Sequence, residues 1–187
     1  MTLGPAFDQV LGAAQANAGW AFARLYESVA PAVTGYLRAG GVREPEDTTS
    51  EVFLAVFSRL GSFTGTEAQF RSWVFTIAHN RMVDERRALA RRPYVGSLDA
   101  MPGDGRHPPA TSAEGEALRT MGRERVERLL SQLVPDQRDV LTLRVVADLT
   151  VDQVASALGK SPGAVKALQR RALNTLRRMV SAEAVPL

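Results

Sequence analysis

The sequence predicts an all-α protein made of two small helical domains, a bundle and a helix-turn-helix unit, joined by a flexible linker. Three observations carry this. Apolar residues recur at three- and four-residue steps through most of the chain, with no sustained alternation of period two. A stretch near the middle, residues 93–121, holds Pro93, Pro102, Pro108 and Pro109 with Gly96, Gly103, Gly105 and Gly115, and has no period at all. All twelve Phe, Trp and Tyr residues lie between Phe7 and Tyr94, so the two halves do different physical work. With 187 residues and 45% hydrophobic content, each half has enough apolar side chain for a core, which excludes a disordered or collagen-like chain.

From the N-terminus, Phe7, Val10, Leu11 and Ala14 fit a short amphipathic helix within an extension spanning 1–18. Phe22, Leu25, Tyr26, Val29 and Val33 mark the next helix face, which Pro31 is expected to bend. Phe53, Val56, Phe57 and Leu60 mark another, in a helix opened around Thr48 or Thr49. Phe70, Trp73, Val74 and Ile77 mark a third, in a helix running to about Arg91. These faces predict a bundle over 19–92. After the linker, Pro135 suits the first turn of a helix holding Val140, Leu141 and Val145. Thr150 and Gln153 have capping-box spacing ahead of Val151, Val154, Ala155 and Leu158. Gly159 ends that helix, Ser161 caps the next, and Pro162 takes its first position. This second domain spans 122–180, followed by a tail over 181–187.

Charge narrows the function. Lys+Arg 23 against Asp+Glu 20 gives a net charge of only +3, so placement decides. On a wheel of about 100° per residue, Val165, Leu168, Ala172 and Leu176 form an inward stripe, while Lys166, Arg170 and Arg177 cluster outward, flanked by Arg171 and Arg178. No acidic residue falls between Lys160 and Val180. Such a run of cations repels itself unless an anion neutralises it, and the second helix of a helix-turn-helix lies in the major groove of duplex DNA. The absence of aromatic residues in this half disfavours stacking on single strands. The segment Phe63 to Arg92 instead interleaves Phe63, Phe70, Trp73 and Phe75 with Arg71, Arg81, Arg86, Arg87, Arg91 and Arg92, a pattern suited to unstacked bases and their phosphates, although part of each ring belongs to the core. Between Arg43 and Arg59 the charge reverses to about −2, through Glu44, Glu46, Asp47 and Glu51. Acids early in a helix favour its dipole, and they also fit a basic protein surface. The linker has a charge of about −2 as well and reads as a solvated spacer.

Enzyme chemistry finds no support. Without cysteine, thiolate metal sites and thiol catalysis are excluded, and His79 and His107 are too few for a metal centre. His79 with Asp84 and Glu85 makes no nuclease site, because helical spacing faces them apart. No phosphate-cradling loop occurs, so no cofactor and no small-molecule substrate are expected. The first twenty residues lack a basic segment and carry Asp8, and no apolar run reaches the roughly 18 residues of a membrane span. The expectation is a cytoplasmic protein with no membrane partner.

These residues resemble a known family, the bacterial sigma-70 factors, in their two-domain extracytoplasmic-function group, over residues 19–92 and 122–179. EDTTSEVFLAVF (Glu46 to Phe57) is similar to region 2.2, which binds the beta-prime clamp of core RNA polymerase. The resemblance gives that role to Asp47, Glu51 and Phe53, with Ser50 where many members have Gln. FRSWVFTIAHNRMVDERR (Phe70 to Arg87) is similar to regions 2.3 and 2.4, which open the minus-10 element and capture a flipped base. It implies roles for Trp73 and Asn80, a pocket shaped by the Gly61 to Gln69 loop, and backbone contacts from Arg81, Arg86 and Arg87, with Asp84 holding structure. SPGAVKALQRRALNTLRR (Ser161 to Arg178) is similar to region 4.2, which reads the minus-35 duplex. It implies contacts by Lys166, Ala167, Arg170 and Arg171, with Ala167 where many members have Ser. The implied partners are core polymerase through its beta-prime clamp and beta flap, promoter DNA, and an anti-sigma factor, and the linker would thread along the core enzyme. The alternative is a stand-alone helix-turn-helix regulator whose N-terminal domain dimerises or senses a signal.

Overall fold

A computed structural model describes residues 2–91, 122 and 124–183; the expected linker over 93–121 lies outside the described residues. A 3-10 turn (Gly4–Ala6) leads into α1 (Phe7–Gln15), α2 (Gly19–Ala39) and α3 (Pro45–Phe57), then a second 3-10 turn (Leu60–Ser62) and α4 (Glu67–Arg91). Residues 124–131 form α5, followed by α6 (Pro135–Val145), α7 (Val151–Leu158) and α8 (Pro162–Glu183). The described regular structure is all helical, as the three- and four-residue periodicity requires.

The N-terminal core is built from the expected faces. Leu25, Val29 and Val33 of α2, Val52, Phe53 and Val56 of α3, and Phe70, Val74, Phe75 and Ala78 of α4 are buried, and α1 closes one side with Phe7, Val10, Leu11 and Ala14. Rings fill the helix junctions in pairs: Phe22 on Phe57 (4.9 Å), Tyr26 on Phe53 (4.7 Å) and Tyr36 on Phe75 (5.8 Å). Helix α2 continues through Pro31 as one helix from Gly19 to Ala39. One local expectation is corrected. Helix α3 starts at Pro45 rather than at Thr48 or Thr49, because Pro45 is already set for a first turn. Thr49 is buried instead, its hydroxyl donating to the Pro45 carbonyl (2.6 Å) and meeting the Thr34 hydroxyl (2.9 Å).

In the second domain each stop and start signal is used as read. The Thr150 hydroxyl accepts from the Gln153 N–H while the Gln153 side chain accepts from the Thr150 N–H (2.6 Å), a complete capping box. Gly159 closes α7 in the left-handed region (φ 61°), and the Ser161 hydroxyl accepts from Ala164 N–H at the head of α8. Arg138 of α6 donates to the carbonyls of Leu130, Ser131 and Leu133, satisfying the end of α5.

The domains do not stand apart. Val140, Leu143, Ala147, Leu149, Val154, Ala155 and Val165 belong to the same continuous apolar cluster as the N-terminal core, and α7 packs along α4. A separate small cluster, Leu133, Leu141 and Ala172, joins α6 to α8.

Gly159→Ala places a Cβ in a left-handed conformation and is expected to cost about 1 to 2 kcal/mol in urea unfolding. Gly12→Ala, in a helical position with open space around it, is expected to be neutral or to stabilise by up to about 1 kcal/mol.

Candidate nucleic-acid interface

Helix α8 presents the two faces expected of it. Val165 and Ala172 are fully buried and Leu168 and Leu176 half-buried, while Lys166, Arg170, Arg171, Arg177 and Arg178 are exposed. Ala167 is half-buried beside them. Lys166, Arg170 and Arg177 line a shallow groove with Gln169, Leu173 and Asn174. Gln169 was not singled out by the charge pattern, yet it has the amide that pairs with adenine edges. Among the described residues no carboxylate pairs with these α8 cations, so their charge faces solvent.

Three cations of α4, Arg81, Arg86 and Arg87, are placed differently, each beside an acid. Arg81 lies 3.6 Å from Glu51, and Arg87 lies 3.8 Å from Asp84, both as exposed pairs that contribute little. Arg86 makes a two-pronged contact with Asp139 of α6 (3.2 Å to each oxygen) and donates to the Gly40 carbonyl (2.9 Å). A guanidinium expected on DNA backbone is here committed to the other domain. Asp139 is only 3% exposed, and a carboxylate so buried requires such a partner.

Further contacts seal this seam. Arg71 donates to the Ala147 carbonyl (2.7 Å), Ser72 to the Gln153 carbonyl (3.3 Å), and the Gln153 amide to the Ala68 carbonyl (2.9 Å). The capping residue of α7 therefore also fastens α7 to α4. Asn80, exposed on α4, borders a cavity of about 530 Å³ shared with Ser156, Leu158 and Gly159 of α7. Trp73 is half-buried, with its ring stacked on Phe63 (5.1 Å, 18° between planes). The loop before α4 leaves Gly65 at φ 150° and is closed by Gln69, whose side-chain oxygen accepts from Thr66 N–H (2.9 Å).

On α3, Asp47 and Glu51 are exposed, one turn apart. Phe53 corrects the expectation of a surface contact: it is 2% exposed and wedged between Tyr26 and Phe57, so it supports the face from beneath. Leu54 takes its place. It is 71% exposed, three residues after Glu51 and on the same side of the helix, a bare apolar group beside two acids. Trp20 and Tyr26 of α2 are also exposed large hydrophobics, at 55% and 38%.

At the bottom of the seam the Tyr36 hydroxyl is hydrogen-bonded to Nδ1 of His79 (2.8 Å), and Asp139 lies 4.0 Å from the same nitrogen. Burial holds His79 below the usual imidazole range; Arg86 and Lys160 act in the same direction, Asp139 and Asp136 against it. Burial likewise pushes the Tyr36 phenol well above its usual value. Among the described residues no group of His, Asp and Glu could hold a metal ion, and no helix is long and apolar enough to cross a membrane.

A family model described as Sigma-70 region 2 matches residues 25–92, and one described as Sigma-70, region 4 matches residues 123–176. The ECF RNA polymerase sigma factor SigD of Mycobacterium tuberculosis is 31% identical over 188 residues, covering 93% of this chain and 84% of SigD. BldN of Streptomyces coelicolor, another ECF RNA polymerase sigma factor, is 35% identical over 176 residues, covering 91% of this chain but 64% of BldN, so the chain spans just under two thirds of that relative. Among solved structures, CnrH in complex with the cytosolic domain of CnrY has the same fold, with a TM-score of 0.69 at 23% identity over 94% of this chain and 97% of that one.

The buried imidazole makes the seam sensitive to acid. Its folded-state pKa lies below the unfolded value of about 6.5, so its contribution is complete above that pH and is lost as pH falls from there through the lower folded-state value. Thermal melts at about pH 7.5 and about pH 5.5 are expected to show a larger acid-induced drop for the native chain than for His79→Gln, which cannot titrate. Equal drops would remove His79 as the cause.

Proposed function

The chain belongs to the extracytoplasmic-function RNA polymerase sigma factors of the sigma-70 family, and from that premise we propose that it directs promoter-specific initiation with two separate DNA-reading elements. The observation that carries this is the contrast between α8 and α4. One presents cations with no carboxylate partner among the described residues and no ring among them, and the other places Trp73 and Asn80 among arginines, with Phe63 stacked on Trp73 from the loop before it.

In this reading α8 enters the major groove of the minus-35 duplex. Lys166, Arg170 and Arg171 meet base edges and phosphates, and Ala167 fits closely against the groove floor. Helix α4 with the Gly61 to Gln69 loop receives the melted minus-10 strand. Trp73 stacks on a base, Asn80 hydrogen-bonds an exposed base edge, and Arg81, Arg86 and Arg87 follow the phosphates. Asp47, Glu51 and Leu54 form the face that docks on the beta-prime clamp, with Phe53 holding that face in place. The second domain would meet the beta flap. Catalysis belongs to the polymerase in the cytoplasm, and no cofactor enters.

The seam sets a condition on this scheme. With Arg86 held by Asp139 and Asn80 facing α7, a melted strand cannot reach all of α4 until α6 and α7 withdraw. Core polymerase supplies the separation by binding each domain at its own site. CnrH is bound by the cytosolic domain of CnrY, and a comparable anti-sigma partner here would keep the domains from engaging polymerase.

Transcription in vitro with purified core polymerase and a promoter library tests the proposal. Specific initiation dependent on this chain is expected, and target binding undiminished without polymerase would favour the stand-alone regulator. Replacing Lys166 and Arg170 together with Ala is expected to weaken binding to the minus-35 duplex by roughly 2 to 6 kcal/mol, read from competition with promoter fragments. Unaltered promoter choice would remove α8 from the groove.

A further inference from the structure

The first fifteen residues precede the segment that the region 2 family model covers, yet they are tied to the loop beside Trp73. Gln15, the last residue of α1, uses both hydrogens of its amide: Nε2 donates to the Leu60 carbonyl (3.1 Å) and to the Phe63 carbonyl (2.7 Å). Those carbonyls bracket the 3-10 turn Leu60–Ser62. At the loop's other end, the Glu67 carboxylate accepts from Leu3 N–H (2.6 Å) and Gly4 N–H (2.8 Å). Between them Phe7 packs on Phe70 (5.8 Å) and is 3% exposed.

A plug for the core would need only Phe7, Val10, Leu11 and Ala14. The polar contacts go elsewhere, to the two ends of the loop. Phe63 is the link: its carbonyl is held by Gln15, and its ring lies flat on Trp73. Fixing the carbonyl fixes where the ring sits, and with it how much of the indole face an incoming base meets. The Glu67 contact has an electrostatic counterpart. A bare carboxylate at the mouth of a nucleic-acid site repels phosphate, and two N–H donors hold this one toward the N-terminus.

We propose that α1 is a brace for the strand-capture loop and that Gln15 is a positioning residue for base selection, acting through Phe63 on Trp73. The inference rests on the assignment of α4 and its loop to the melted strand. Gln15 touches no nucleotide. It sets the geometry of the residues that do.

The test uses holoenzyme reconstituted from the full chain and core polymerase, on promoters already melted over the minus-10 region. The measured quantity is the ratio of initiation rates between the preferred non-template base and a substituted one at the captured position. Gln15→Ala and Gln15→Glu, whose carboxylate faces two carbonyls without a donor, are expected to lower that ratio about tenfold and more than tenfold respectively. Gln9→Ala, which removes an exposed amide from the same helix without loosening it, serves as the control and should leave the ratio unchanged. A simple loss of folded protein lowers both rates together and does not move the ratio. An unchanged ratio in both Gln15 variants, or an equal fall with Gln9→Ala, would overturn the brace. Trp73→Ala separates the two levels: if it leaves the ratio intact the strand-capture assignment itself fails, and if it lowers the ratio while the Gln15 variants do not, only the brace fails.

Discussion

The structure turns on a single buried carboxylate. Asp139 lies almost wholly out of water on α6, and its charge is met by Arg86, reaching across from α4 with both nitrogens. Desolvating such a pair offsets most of its attraction, so the pair adds little over an apolar contact of the same shape. What it does is penalise every arrangement of the two domains that leaves Asp139 alone. The apolar contacts of α7 on α4 supply the area, and the ion pair supplies the register. Since α4 also holds Trp73, Asn80 and the outer arginines, the surface that closes the molecule is the surface proposed to hold melted DNA.

That overlap explains why cations of the same type behave differently in the two halves. On α4 each of Arg81, Arg86 and Arg87 has an acidic neighbour, so phosphate must compete with a carboxylate already in place. On α8 no such neighbour is present among the described residues, and the field of Lys166, Arg170, Arg171 and Arg177 extends into solvent. In the proposed scheme this prepares the free chain to meet duplex before it meets melted strand.

Much of this was legible in the sequence, because local signals act over a few residues. The Thr150 and Gln153 box, Gly159, Ser161 and Pro162 each do locally what their chemistry requires, and the stripe of Val165, Leu168, Ala172 and Leu176 is inward as its spacing demands. The short helix with Phe7, Val10, Leu11 and Ala14 also forms as its pattern indicates. The seam was not legible. Val154 and Ala155 look like core for their own domain whether or not a second domain covers them, and an arginine three turns beyond an aromatic cluster looks like a phosphate ligand whether or not an aspartate waits across the gap. Phe53 and Leu54 show the same limit at one position: adjacent letters of similar polarity are separated into core and surface only by the turn of α3 against Tyr26. Gln15 gave no signal, since a lone amide at a helix end has no pattern.

The most direct test is a distance. The chain has no cysteine, so Glu27→Cys and Ser181→Cys, both at exposed positions in different domains, accept spin labels without background. Double electron–electron resonance on the free chain should give one narrow distribution, and the complex with core polymerase and promoter should give a distinctly different one. If the free-chain distance persisted unchanged in the promoter complex, the claim that α4 must be uncovered before it holds DNA would be contradicted.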